Sequence, residues 1–235
     1  MVLKLYFDFL SQPSRALYIF FKKCNIPFES HIVNISRGEN RSEEYEEIHP
    51  FGKVPSIEHD GFKLIESVGI ARYVAREFKV AEHWYPTKSR EQAKVDEYLE
   101  WQHLNTRVIC SRLFLANVLF PMMRQKAAHP ERAKECASGV TACLDQFENL
   151  WLKDKNFLMG NEISVADLFA ACEIEQIRMA GLEPRQGRPK LKGWFDRVEQ
   201  ASGPHYAEAH KYVDDVVKRI AGRPAHTCDI NEIFP

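Results

Sequence analysis

Ser56-Ile57-Glu58-His59-Asp60-Gly61-Phe62-Lys63-Leu64-Ile65-Glu66-Ser67 decides how the first third of the chain folds. Two short runs flank Asp60-Gly61, a pair that accepts the positive φ angles of a two-residue hairpin turn. The spacing predicts antiparallel strands over 56–59 and 62–65, because so short a turn admits no other pairing. Glu66-Ser67 then opens a helix through Ile70, Tyr73, Val74 and Phe78.

Upstream, Leu3, Leu5 and Phe7 alternate with Lys4, Tyr6 and Asp8, the pattern of a half-buried strand. The turn Ser11-Gln12-Pro13 leads into a helix over 14–25, with Leu17, Tyr18, Phe20, Phe21 and Cys24 at helical spacing. A second strand is expected at 31–35. Pro55 follows Val54 at the entry to the third strand, where it suits either a strand start or a cis bond. The order strand, helix, strand, loop, strand, strand, helix resembles that of thioredoxin-like domains.

Residues 79–89 lack periodicity and carry Pro86, so the interdomain linker is placed there. Everything beyond reads helical: a long helix or a pair of them from Arg90 to about Phe120, then a helix with Cys136, Val140, Cys143, Leu144, Phe147 and Trp151 on one face. Ser164-Val165-Ala166-Asp167 has the form of a capping box for a helix stopping near Gly181. Pro189 suits the first turn of the next helix, and Tyr206, Ala209, Val213 and Val216 mark the last. The expected class is α+β: a thioredoxin-like domain over 1–80, a linker over 81–89 and an all-α domain over 90–235.

The 235 residues carry 32 basic and 33 acidic side chains, so no global field favours nucleic acid or an anionic membrane. An apolar share of 45% and a charged share of 28% describe a packed globular chain. The N-terminus lacks a cleavage site, and no apolar run approaches the roughly 20 residues that cross a bilayer. Six cysteines without a C-x-x-C pair suit a reducing compartment, so a cytoplasmic protein is expected, with no metal site.

A thioredoxin-like domain offers one obvious reactive place, the loop between its first strand and first helix, where the helix N-terminus favours a negative sulfur. Here that loop is Leu10-Ser11-Gln12-Pro13-Ser14-Arg15. It holds no cysteine, and Cys24 lies at the far end of the helix, so a hydroxyl is the candidate partner for a bound thiolate. Lowering a thiol from about 8.5 to near 6.5 needs ~2.7 kcal/mol, which one charge-assisted hydrogen bond of roughly 1.5–3 kcal/mol largely supplies. Ser11 as a plain helix cap is the competing use. A second constellation, Lys53-Val54-Pro55 with Glu66-Ser67, suits a peptide clamp or simple helix capping.

Through Asp8-Phe9-Leu10-Ser11-Gln12-Pro13-Ser14-Arg15-Ala16, His49-Pro50-Phe51-Gly52-Lys53-Val54-Pro55, Glu66-Ser67-Val68, Val95–His103 and Ser164–Leu168, the sequence resembles the theta class of glutathione transferases across nearly the whole chain. The resemblance implies conjugation of glutathione to hydrophobic electrophiles such as halides and epoxides, with possible peroxidase activity. It casts Ser11 as hydrogen-bond donor to the thiolate, with Tyr6 as a rival hydroxyl. Glutathione, a co-substrate and not a fixed cofactor, would be held by Asn40 or Arg41, Lys53, Val54, a cis Pro55, Glu66 and Ser67. Arg107 would meet the electrophile, the helical domain and the Phe234 tail would wall its pocket, and the chain would form a homodimer. A catalytically silent scaffold of the same fold is the alternative.

Overall fold

The computed structural model describes residues 2–234. Four strands form one mixed sheet in the order β2-β1-β3-β4, comprising β1 (Leu3–Phe7), β2 (Phe28–Ile32), β3 (Ser56–His59) and β4 (Phe62–Leu64). β1 runs parallel to β2 and antiparallel to β3, and β3 pairs antiparallel with β4. Asp60 and Gly61 have φ of 51° and 83°, the double positive pair that the hairpin demands. Leu3, Leu5 and Phe7 are buried, as their alternation requires. This is the thioredoxin-like arrangement, followed by an all-helical half.

Helix α1 (Gln12–Lys23) starts and ends two residues earlier than its apolar spacing suggests. Ser11 occupies the capping position, and Asn25 turns the chain out at φ 53°. β2 also sits upstream of the expected 31–35. The Val33 amide still donates to the Phe7 carbonyl at 2.9 Å, but the amide of Ile35 donates to the Asp8 carboxylate at 2.9 Å, which draws residues 34–35 out of the ladder towards the loop after β1. A short helix, α2 (Glu43–Glu46), and α3 (Ser67–Glu77) complete this half.

No helix or strand spans residues 78–88. α4 (Ser89–Arg124) is a single 36-residue helical run, loosened into π-type turns at His103–Arg107 and Leu115–Leu119. By length and composition alone it could cross a membrane, contrary to the sequence reading. Here its apolar side chains Cys110, Leu113, Phe114, Val118 and Met122 are buried within the protein. α5 (Pro130–Gln146), α6 (Val165–Glu175), α7 (Pro189–Ser202), α8 (Pro204–Ile220) and α9 (Ile230–Ile233) follow. α1 packs against both α6 and α8, which explains why Pro13 to Phe21 are all buried. The six cysteines are all free thiols.

The capping box of α6 has a wider reach than its motif shows. The buried Asp167 carboxylate accepts from the Ser164 amide and hydroxyl at 2.9 Å each, and from the Leu158 amide and Trp194 Nε1 at 2.8 Å. It joins three segments, so Asp167→Ala should destabilise the fold by about 3 kcal/mol in urea titration, through orphaned donors as well as a lost cap.

On α8, His210 is buried, stacks on Tyr206 at 4.1 Å, and leaves Nε2 without a partner. Burial, reinforced by the Arg15 charge, pushes its pKa down to about 3. The unfolded chain, with an ordinary value near 6.5, therefore binds more protons than the folded one below neutrality. Stability should fall as pH drops from about 7 towards 3, and His210→Leu should flatten that decline in acid-unfolding experiments.

Candidate active site

The sheet topology gathers the sequence-derived residues at one end. β1 leaves the sheet into the Ser11 loop. β3 enters beside it, with Ser56 opposite Tyr6, so Val54-Pro55 lies next to that exit. β4 ends at the same edge, with Leu64 opposite Ile57, and delivers Glu66-Ser67. Parallel β2 points the same way and leads to Asn40-Arg41.

Two anchors fix the Ser11 loop. Below it, Asp8 accepts from the Leu10 amide at 2.8 Å and the Ile35 amide at 2.9 Å, and its carbonyl accepts from the Ser11 amide at 3.0 Å. Burial raises the Asp8 pKa, against the stabilising pull of those amides. Behind it, the fully buried Arg15 donates through Nη1 to the carbonyls of Phe9 (2.6 Å) and Leu10 (3.3 Å). Its Nη2 donates to the Cys172 carbonyl (3.0 Å) and Gln176 Oε1 (2.8 Å). The motif containing Asp8 and Arg15 was visible in the sequence, but their anchoring roles were not; an arginine on an otherwise apolar helix face was the available signal.

Ser11 holds the N-cap position with extended φ and ψ, yet its side chain makes no capping bond. Its hydroxyl donates instead to the Val54 carbonyl at 3.4 Å, a long and weak contact. The Val54–Pro55 peptide is cis, which decides between the two readings of that proline. Glu66 behaves like Ser11: it sits at the N-cap of α3 without a side-chain cap, at φ 67° and ψ 107°. A non-glycine residue there is strained, and such strain gathers at functional sites. Ser67 is the first residue of α3 and half-buried.

Asn40 Nδ2 donates to the Gly52 carbonyl at 2.7 Å and Arg41 Nη1 to the Phe51 carbonyl at 3.2 Å, locking their loop to the Lys53 turn. Gly52, at φ +56°, has no room for a Cβ, which would lie 2.6 Å from the Asn40 carbonyl oxygen. Tyr45 fastens the same turn, donating to the Lys53 carbonyl at 2.7 Å and contacting Ser56 Oγ at 2.9 Å. The Lys53 side chain remains exposed.

Tyr6 lies on the sheet face opposite Leu5 and Phe7, stacked on His31 at 4.8 Å and near Tyr45. Burial and then Glu58 raise its pKa. Arg107 lies on α4 apart from the sheet edge, and its Nη1 donates to the buried Glu173 carboxylate at 2.6 Å. The C-terminal segment closes over the Ser11 loop from the other side. Phe234 is buried with Leu10, Phe114 and Val118, and Ser36 Oγ donates to its carbonyl at 2.9 Å. Grooves of about 400, 480 and 610 Å³ open on the helical half, and none is lined by Ser11, Lys53 or Glu66.

Comparison with known proteins agrees with this geometry. Residues 1–76 match the family model of the glutathione S-transferase N-terminal domain, and residues 112–201 that of the C-terminal domain. Glutathione S-transferase theta-1 of Rattus norvegicus is 42% identical, covering 91% of this chain and 89% of its own, and the Homo sapiens protein is 41% identical over the same shares. Among solved structures, human glutathione S-transferase T1-1 in its apo form superposes with TM-score 0.87 at 38% identity, covering 99% of this chain and 97% of its own. Human glutathione transferase theta-2, in complex with glutathione and an unknown ligand, gives 0.88 at 32% identity, covering 99% and 100%. The chain therefore belongs to the theta class of the glutathione S-transferases, transferases that use glutathione as co-substrate.

Proposed function

We propose that this transferase conjugates glutathione to hydrophobic electrophiles, halides and epoxides among them, with Ser11 donating its hydroxyl hydrogen bond to the glutathione thiolate. The observation that carries this reading is that neither Ser11 nor Glu66 uses its side chain to cap the helix it precedes, although both hold capping positions. Ser11 Oγ has only a long contact to Val54 to exchange for a charge-assisted one. Glutathione then lies along the extended Val54 backbone beside cis Pro55. Its γ-glutamyl end meets Glu66 and Ser67 at the start of α3, and its glycyl carboxylate meets Asn40, Arg41 or Lys53.

The sulfur attacks the electrophilic carbon, the leaving group departs with the bonding pair, and the thioether product leaves. The electrophile approaches from the helical side of the Ser11 loop, where Leu10, Phe114, Val118 and Phe234 form a buried apolar cluster behind the loop. Arg107 commits Nη1 to Glu173, and its remaining donors serve an anionic leaving group. With a hydroperoxide the same sulfur attacks the terminal peroxide oxygen, the O–O bond breaks to release the alcohol, and a second glutathione converts the resulting sulfenic acid to glutathione disulfide and water.

We assign the glutathione domain to residues 1–80, the linker to 81–89 and the electrophile domain to 90–235, in a cytoplasmic homodimer.

Ser11→Ala should lower kcat/KM about 10- to 100-fold with an alkyl or aryl halide, the equivalent of one charge-assisted hydrogen bond. Tyr6→Phe should stay within about twofold of wild type; the reverse outcome would make Tyr6 the thiolate donor. Gly52→Ala, by displacing Asn40 and Arg41, should raise the KM for glutathione several-fold while changing kcat little.

A further inference from the structure

Arg15 is a buried cation whose hydrogen-bond partners are all neutral: two carbonyls of the Ser11 loop, the Cys172 carbonyl and the Gln176 side-chain oxygen. Its Nε has no partner. Among the described residues no carboxylate forms an ion pair with it.

Asp8, Glu173 and Glu175 lie near enough to offset part of its charge, yet none bonds to it and each is held by other donors. On α6, Glu173 is paired with Arg107, and Glu175 is engaged by Arg178, Arg185 and Tyr206. The Cys172 thiol is pushed up to about 12 by burial and His210 down to about 3, so both are neutral at pH 7. Burial likewise keeps the Tyr206 phenol protonated. In the loop, the Asp8 oxygens are occupied by the Leu10 and Ile35 amides.

A buried charge with no bonded counter-ion is costly, and a neutral amide could satisfy the same carbonyls with less desolvation. The arrangement makes sense where an anion arrives only with the ligand. Arg15 grips the two residues immediately before Ser11, one helical turn from the hydroxyl.

We propose that Arg15 is a positioning residue for the transferase reaction: it holds the Ser11 loop against α6, and its unpaired charge provides a positive field at the sulfur of bound glutathione. The proposal rests on the Ser11 reading and extends it to the interface between the sheet and the helical half. Gln176 is part of the device, since it supplies an acceptor without a charge.

Gln176→Glu tests the electrostatic part, because it keeps the contact to Nη2 while setting a carboxylate against the guanidinium, at the loss of only the long 3.4 Å bond from Gln176 Nε2 to the Leu10 carbonyl. In the full-length enzyme, thiolate absorbance of bound glutathione is titrated with pH alongside thermal unfolding. Gln176→Glu should unfold at or above the wild-type midpoint, yet shift the thiolate titration upward by about half a unit or more. Arg15→Lys, which retains the charge and loses the fork, should unfold earlier but titrate within about 0.3 unit of wild type. An unshifted titration in Gln176→Glu, or a shift in Arg15→Lys as large as that of Ser11→Ala, overturns the proposal. If Ser11→Ala moves the titration and Gln176→Glu does not, the Arg15 inference alone falls. If neither moves it, the Ser11 reading falls as well.

Discussion

The contact on which the geometry of the candidate site depends is the fork of Arg15, which joins the carbonyls of Phe9 and Leu10 to Cys172 and Gln176 on the helical side. The loop between β1 and α1 has no regular structure of its own, so its shape is set by what grips its backbone. Asp8 does so from the sheet side and Arg15 from the helical side. α1, buried along Pro13 to Phe21, transmits this attachment to α6 and α8. The position of one hydroxyl is thus a property of both halves of the molecule.

The second constraint is topological. A mixed sheet in the order β2-β1-β3-β4 brings the exit of β1, the entry of β3 and the exit of β4 to one edge. Residues more than fifty positions apart converge there without any long loop. Gly52 and the cis Val54–Pro55 peptide shape the turn that presents extended backbone at that edge, and the strained Glu66 turns the chain into α3.

Much of this was legible in the sequence, for physical reasons. Asp60-Gly61 admits one kind of turn, the alternation of Leu3, Leu5 and Phe7 marks one buried face, and the Ser164–Asp167 box starts its helix where the pattern says. What escaped was set by tertiary competition. β2 lies three residues upstream of its apolar run because the Asp8 carboxylate takes the Ile35 amide. The bond that holds Arg107 to the buried Glu173 joins two helices across 66 residues. The bond from Ser36 to the Phe234 carbonyl and the anchoring by Arg15 likewise join residues 157 or more positions apart, which no local spacing reveals.

The central claim is that the Ser11 hydroxyl stabilises the thiolate of bound glutathione. Its most direct test is the ultraviolet thiolate absorbance of the enzyme–glutathione complex, titrated from about pH 5 to 9 in wild type and Ser11→Ala. The account predicts a wild-type midpoint well below the free thiol value of about 8.5, and a return towards that value in Ser11→Ala. An identical midpoint in the two proteins would contradict it.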